Sequence, residues 1–167
     1  GKYFVELPDG TRVWLNAASS LRFPVTFSDS VRQVRLIGEA YFEVRSDGKP
    51  FIVNTAQMET RVLGTSFDVM AYPEEPLTAN VLVEGRVQVF AENEQKILSP
   101  GERAVVFKDQ PRIEVDEVNT GQYISWINGK IEFDNEDLET VMRRLARWYD
   151  FKYVFENEKA RGYHFTG

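Results

Sequence analysis

The sequence predicts a mainly β protein with a small α+β tail: a curved multi-stranded β roll, sandwich or solenoid-like domain followed by a βαβ unit. Three observations carry this expectation. From residue 2 to about 118, short apolar runs alternate with polar positions and are broken by turn residues, with no helix-like spacing. Two long strand-like runs each contain a glycine, Gly38 and Gly85, where a strand should be weakest. After Asp134, one segment carries a continuous apolar stripe at helical spacing.

Turn chemistry divides the first region. Pro8-Asp9-Gly10, Asp47-Gly48-Lys49-Pro50, Pro73-Glu74-Glu75-Pro76, Glu92-Asn93-Glu94, Ser99-Pro100-Gly101 and Asp109-Gln110-Pro111 each supply a fixed φ, a positive φ or a side-chain-closed turn. Between them the pattern predicts strands over 3–7, 11–16, 31–45, 50–54, 58–72, 78–90, 95–98, 103–107 and 112–116. LPDGTRVWL at 7–15 and LSPGERAVV at 98–106 echo one another as a tight turn feeding a strand, without a fixed period.

Taking every second residue from Val34 gives Val34, Leu36, Gly38, Ala40, Phe42 and Val44; from Val81 it gives Val81, Val83, Gly85, Val87 and Val89. Both series put glycine on the buried face, where a missing side chain lets a strand bend or another backbone cross close by. Each glycine is therefore read as a corner. Glu39 and Glu84 beside them are read as solvated carboxylates on the outward face.

After Val118 the texture changes. NTGQYISWINGKIEF is a polar connection leading to a short predicted strand at 130–133. In DNEDLETVMRRLARWYD, Leu138, Val141, Met142, Leu145, Trp148 and Tyr149 form the stripe, with Asp134 or Asn135 as the expected cap. Acidic residues crowd the first turn and Arg143, Arg144 and Arg147 the later ones, as the helix dipole favours. A strand over 151–156, a turn over 157–162 and an apolar segment 163–166 complete the predicted unit. The expected domains are 1–118, a linker at 119–128, and 129–167.

Composition narrows the function. The chain has 167 residues, 43% hydrophobic and 28% charged, which suits a globular core, and its net charge of −6 removes the attraction that drives non-specific binding to nucleic acid. It has no cysteine, so disulfides and thiolate chemistry are excluded. No apolar run approaches the roughly 20 residues that span a bilayer, and the opening without methionine reads as the interior of a longer chain. The single histidine, His164, is read as a surface or edge residue, and no GxGxxG, P-loop or GxSxG signature occurs. Acidic pairs such as Glu74-Glu75, Glu92 with Glu94 and Asp116-Glu117 are read as solvated loop charges. Trp14 and Trp148 are read as core, and Trp126 as the residue that pins the two domains. No cofactor, metal or catalytic group is expected.

GEAYFEV (38–44), PFIVNT (50–55), RVLGTSFDVMAY (61–72), VLVEGRVQVF (81–90) and LSPGERA (98–104), with LPDGTRVWLNAASSL (7–21), closely resemble in this order the periplasmic sensor domain of FecR-type anti-sigma factors, especially those of Bacteroidetes. WINGKIEFDNEDLETVMRRLARWYDFKYVFEN is similar to the C-terminal domain of that family, which looks related to short signalling modules of secretins and TonB-dependent receptors. The resemblance implies the periplasmic portion of a single-pass inner-membrane protein. It would relay, by protein contact, the state of a TonB-dependent outer-membrane transporter to an extracytoplasmic-function sigma factor, which a cytoplasmic segment would hold. It implies no catalytic residues, and makes Gly38, Tyr41, Phe42, Gly64, Phe67 and Gly85 a structural signature. In the family the C-terminal domain continues further, so a truncated βαβ with an open strand is expected here.

An open strand recruits another. The expected partner-binding residues are Phe151, Tyr153, Phe155, Tyr163 and Phe165, facing the signalling domain of the transporter or a second copy of the chain. The competing expectations are a carbohydrate-binding β module, which needs an exposed aromatic platform, and a glycoside-processing enzyme, which needs paired acids in a groove.

Overall fold

The computed structural model of the chain describes residues 2–167. Twelve strands precede the tail: β1 (Tyr3–Glu6), β2 (Arg12–Leu15), β3 (Ser20–Arg22), β4 (Arg32–Glu43), β5 (Phe51–Asn54), β6 (Glu59–Val62), β7 (Ser66–Ala71), β8 (Leu77–Glu84), β9 (Val87–Ala91), β10 (Glu94–Leu98), β11 (Glu102–Phe107) and β12 (Gln110–Glu117). Their hydrogen-bonded order is β10-β9-β6-β5-β4-β7-β8-β11-β12, with β2 and β3 also lying against β4 and β1 against β2. The curved sheet nearly closes on itself, where the Glu94 carboxylate of β10 accepts a bond from the Ile113 amide of β12 at 2.7 Å. Only β4 and β5 pair in parallel; the other pairs of this sheet are antiparallel.

Both glycine corners are present. β4 pairs with β3 and β5 through its first half and with β2 and β7 through its second, and the change of partners falls at Gly38, whose φ is +102°. A Cβ there would lie 2.2 Å from Ser19 Oγ, so the bend is also overlaid by another segment. Gly85, at φ +95°, separates β8 from β9, and a Cβ on it would meet the Gly64 carbonyl oxygen at 2.8 Å. The predicted runs 58–72 and 78–90 are each divided, at residues 63–65 and 85–86, and the three-residue β3 escaped prediction.

The alternation from Val34 is buried as expected, through Leu36, Ala40, Phe42 and Val44. The alternation from Val81 holds only in part: Val87 and Val89 are core, but Val83 is half-buried, Gly85 is exposed, and the inward phase of β8 is carried by its other positions. Leu82 joins the core and Asn80 donates to Thr60 Oγ1 across it at 2.9 Å, whereas Val81 faces outward and is covered by the tail. A strand covered on both faces is apolar at successive positions, which hides its phase. At the centre of the core Phe42 stacks on Phe67, centroids 5.1 Å apart, and meets Phe51 edge-on at 6.1 Å.

One charge lies wholly inside. Arg32 opens β4 with its side chain fully buried, paired with Asp9 at 2.9 Å and Asp47 at 3.3 Å. Its guanidinium also donates to the carbonyls of Arg45, Lys49 and Leu63. Asp9 in turn accepts from the Thr11 amide and hydroxyl, which closes the LPDGT turn around it. A buried charge persists only when paired and hydrogen-bonded in this manner.

The tail contains α1 (Thr120–Ile124), a 3-10 turn Ser125–Asn128, β13 (Glu136–Asp137), α2 (Leu138–Tyr149), a 3-10 turn Glu158–Gly162 and β14 (His164–Phe165). The connection is thus helical where an irregular linker was expected. The strands predicted at 130–133 and 151–156 do not form. Pairing lies instead between β13 and β14, flanked by two reciprocal bonds of 2.7 and 2.9 Å between Phe133 and Gly167. Because this ladder runs up to Asp137, that residue caps α2 by accepting from the Thr140 amide at 2.8 Å, displacing Asp134 and Asn135 from the role. The longest helix has 12 residues, and none among the described residues is long and apolar enough to cross a membrane.

Candidate functional site: the tail and its seam with the β domain

Cross-strand registers place Phe4, Trp14, Tyr41, Asp68, Val81, Arg103 and Asp116 in one row across the outer face of the sheet. Trp14 therefore stands outside the core, between Phe4 and Tyr41 at 5.1 and 5.7 Å, because Val13 and Leu15 take the inward positions. The three rings tilt by 54° and 51° from one to the next and the Arg12 guanidinium lies over Trp14, so they offer no flat common face on which a sugar could stack.

The middle of the row is the seam. Trp126, 5% exposed, donates its indole N–H to Asp68 Oδ1 at 3.2 Å, and in this way holds the connection to β7. Asp68 is 2% exposed, and its carboxyl is raised well above the usual carboxylate range by burial first and then by the neighbouring Glu39. Glu39 is half-buried, not solvated as expected, and accepts from Asn16 Nδ2 at 2.9 Å. Tyr72 donates its hydroxyl to the Ala17 carbonyl at 2.6 Å, and burial raises its phenol above the ordinary value.

The helix closes over this face through charge. Glu75, expected in a solvated turn, is 5% exposed and accepts from Arg147 at 2.9 Å and Arg143 at 3.2 Å, while Glu74 adds a contact to Arg147 at 3.1 Å. The Arg147 guanidinium lies 3.8 Å from the Tyr72 ring centroid, a cation–π contact. On the far side Arg103 is held by Asp116 at 2.9 Å and by the Tyr123 hydroxyl at 3.0 Å. Enclosed between sheet and helix is a cavity of about 200 Å³ that Glu39, Asp68, Trp126, Arg103, Arg143 and Trp148 help to line. Trp148 thus borders a space between domains, and in α2 only Val141 of the apolar stripe is fully buried.

The five residues predicted to bind a partner are not among those that line this cavity. Phe151, Tyr153 and Phe155 make successive edge contacts of 6.4 and 5.5 Å, so alternate side chains share a face, and Val154 between them is 87% exposed. Residues 152–156 make no backbone–backbone hydrogen bond among the described residues. Tyr163 and Phe165 are exposed at β14, as is His164. The structural signature divides: Phe42 and Phe67 are core, Tyr41 belongs to the outer row, and Gly64 passes beneath Ser46, with a would-be Cβ contact of 2.8 Å. Sequence reasoning missed Asp68, Glu39, Glu75 and Arg32. A readable signal existed at Asp68, a lone acid inside the apolar run SFDVMAY.

Comparison with known proteins agrees with this architecture. The family model described as FecR protein matches residues 2–88, and that described as FecR, C-terminal, matches residues 130–167. No curated protein matches the chain. Two crystal structures from Parabacteroides distasonis ATCC 8503, at 1.65 and 2.50 Å resolution and both described as a "putative anti-sigma factor", superpose with TM-scores of 0.94 and 0.89. Their sequence identities are 34% and 33%, and the alignment covers all of this chain and 79% of each of theirs. On these matches, which take in both the β body and the tail, the chain belongs to the FecR family of anti-sigma factors.

Proposed function

We propose that this chain is the periplasmic sensor and transducer region of a single-pass inner-membrane anti-sigma factor. It relays the loaded state of a TonB-dependent outer-membrane transporter, by protein contact, to an extracytoplasmic-function sigma factor held by a cytoplasmic segment. The family supports the regulatory role and a sigma-factor partner. In this reading residues 1–118 form the β body, 119–128 the linker and 129–167 the signalling module, and no residue is catalytic.

One observation carries the partner contact: residues 152–155 make no backbone–backbone hydrogen bond among the described residues, and the run from Phe151 sets aromatic rings on alternate positions. Such a run accepts an added strand, with main-chain bonds giving affinity and ring pockets giving specificity. The same run is the edge through which two copies of the chain would pair. The test titrates the isolated signalling domain of the cognate transporter against the wild-type chain and Val154→Pro. Proline removes one N–H from an exposed position and disturbs no packing. Affinity should fall about tenfold or more, the loss of roughly 1.4 kcal/mol. Equal binding would move the contact off this run, and no binding by either protein would end the transporter reading.

A further inference from the structure

The seam is built in a way that neither the family nor the partner contact requires. Asp68 and Glu39 lie diagonally across β7 and β4 on the covered face, and both border the same cavity. Two neighbouring carboxylates repel; the repulsion is relieved when one of them holds a proton, as in paired acids that share one. A neutral Asp68 keeps an oxygen to accept from Trp126 and sets no second negative charge beside Glu39.

The surroundings provide no cation in compensation. From β4, Tyr41 faces Asp68 beside Glu39, and from the connection comes Trp126. Across the cavity, Arg103 is committed to Asp116 and Tyr123, and from α2 Arg143 and Arg147 are committed to Glu75 and Glu74, and Arg144 to Glu136. Glu132 stands at the same cavity, and Tyr72 lies under Arg147. Neither Asp68 nor Glu39 makes an ion pair among the described residues.

We propose that the seam is an acid-closed joint: with Asp68 protonated, Trp126 and α2 sit against the β body, and ionisation of Asp68 beside Glu39 loosens them. The direction follows from linkage. A carboxyl that holds its proton more firmly in the closed state stabilises closure at acid pH, and that contribution disappears as pH rises through its raised value. One proton is involved, so the opening equilibrium changes by at most about tenfold per pH unit. The joint operates without any partner, so its failure and that of the transporter reading are separate results.

The test is amide hydrogen exchange on the whole chain, corrected for intrinsic rates and compared at about pH 5 and about pH 8, with the strands β5 and β6 as internal reference. Protection of 120–128 and of α2 should fall on going to the higher pH, by tenfold or more, while β5 and β6 stay protected. Asp68→Asn keeps an oxygen for Trp126 and cannot ionise, so its seam should stay closed at both pH values; Glu39→Gln, which removes the repulsion, should flatten the response in the same direction. Seam protection that does not change with pH in the wild type would overturn the proposal. So would an unchanged response in both variants, which would assign the titration to the Glu74, Glu75 and arginine contacts.

Discussion

Gly38 meets two requirements at once, and a side chain there would violate both. Its φ of +102° disfavours any L side chain, and the space where a Cβ would project is occupied by Ser19 Oγ, 2.2 Å away. Gly38→Ala should cost on the order of 2–4 kcal/mol, from left-handed strain and overpacking together. Urea unfolding should show this as a lower midpoint at unchanged slope. Adding Ser19→Gly should return only part of the overpacking, because Ser19 Cα would still lie 2.7 Å from the new Cβ, and should leave the conformational part; complete recovery would mean that the bend itself is unstrained. The presence of this corner was legible in the sequence because the buried alternation runs straight through the glycine. Asp68, by contrast, has the same side-chain chemistry as any loop acid, and its role appears only when the tail covers it.

At the scale of elements, the strands were legible and their partners were not. Turn residues punctuate the chain wherever it reverses, so nine of the predicted runs fall on strands; but 58–72 and 78–90 continue their apolar pattern across a corner, and the division at Gly64 and Gly85 depends on which sheet half receives each piece. Helix α2 shows the converse. Its apolar stripe announced a buried face, yet Arg143 and Arg147, which lie outside that stripe, are the residues that reach Glu75, because a helix seated on a charged loop uses guanidinium groups with apolar stems for contact. The predicted strand at 151–156 has the right composition and lacks a neighbour, and no single-chain pattern reports that. The position of the cap is likewise set by pairing. Asp137→Ala should therefore lower the stability of α2 by about 1 kcal/mol. Exchange of the amides at 139–141 should report it, and an equal loss from Asp134→Ala would place the cap elsewhere.

The molecule as a whole joins a tightly cross-linked β body to a tail secured mainly by side chains. The body packs phenylalanine rings at its centre and hydrogen-bonds its strands almost all the way round, whereas the tail meets it through Trp126, a few carboxylate–guanidinium pairs and a cavity. Local opening should follow this division. In native-state exchange with increasing denaturant, α2 should exchange through a sub-global opening that leaves β4, β7 and β8 protected up to the global transition; a single merged isotherm for both would show one cooperative unit. Rising salt should favour the opening only weakly, because the Glu75 pairs are largely buried and such pairs are screened much less than exposed ones.

Arg32 has one more implication. Of the groups its guanidinium contacts, three are main-chain carbonyls, those of Arg45, Lys49 and Leu63, and a carbonyl is supplied by any amino acid. The residues at those three places are therefore free to be replaced by drift, whereas adding or deleting one would carry an oxygen out of reach of a cation that cannot shed its proton. Related chains should differ there in spelling and agree in length.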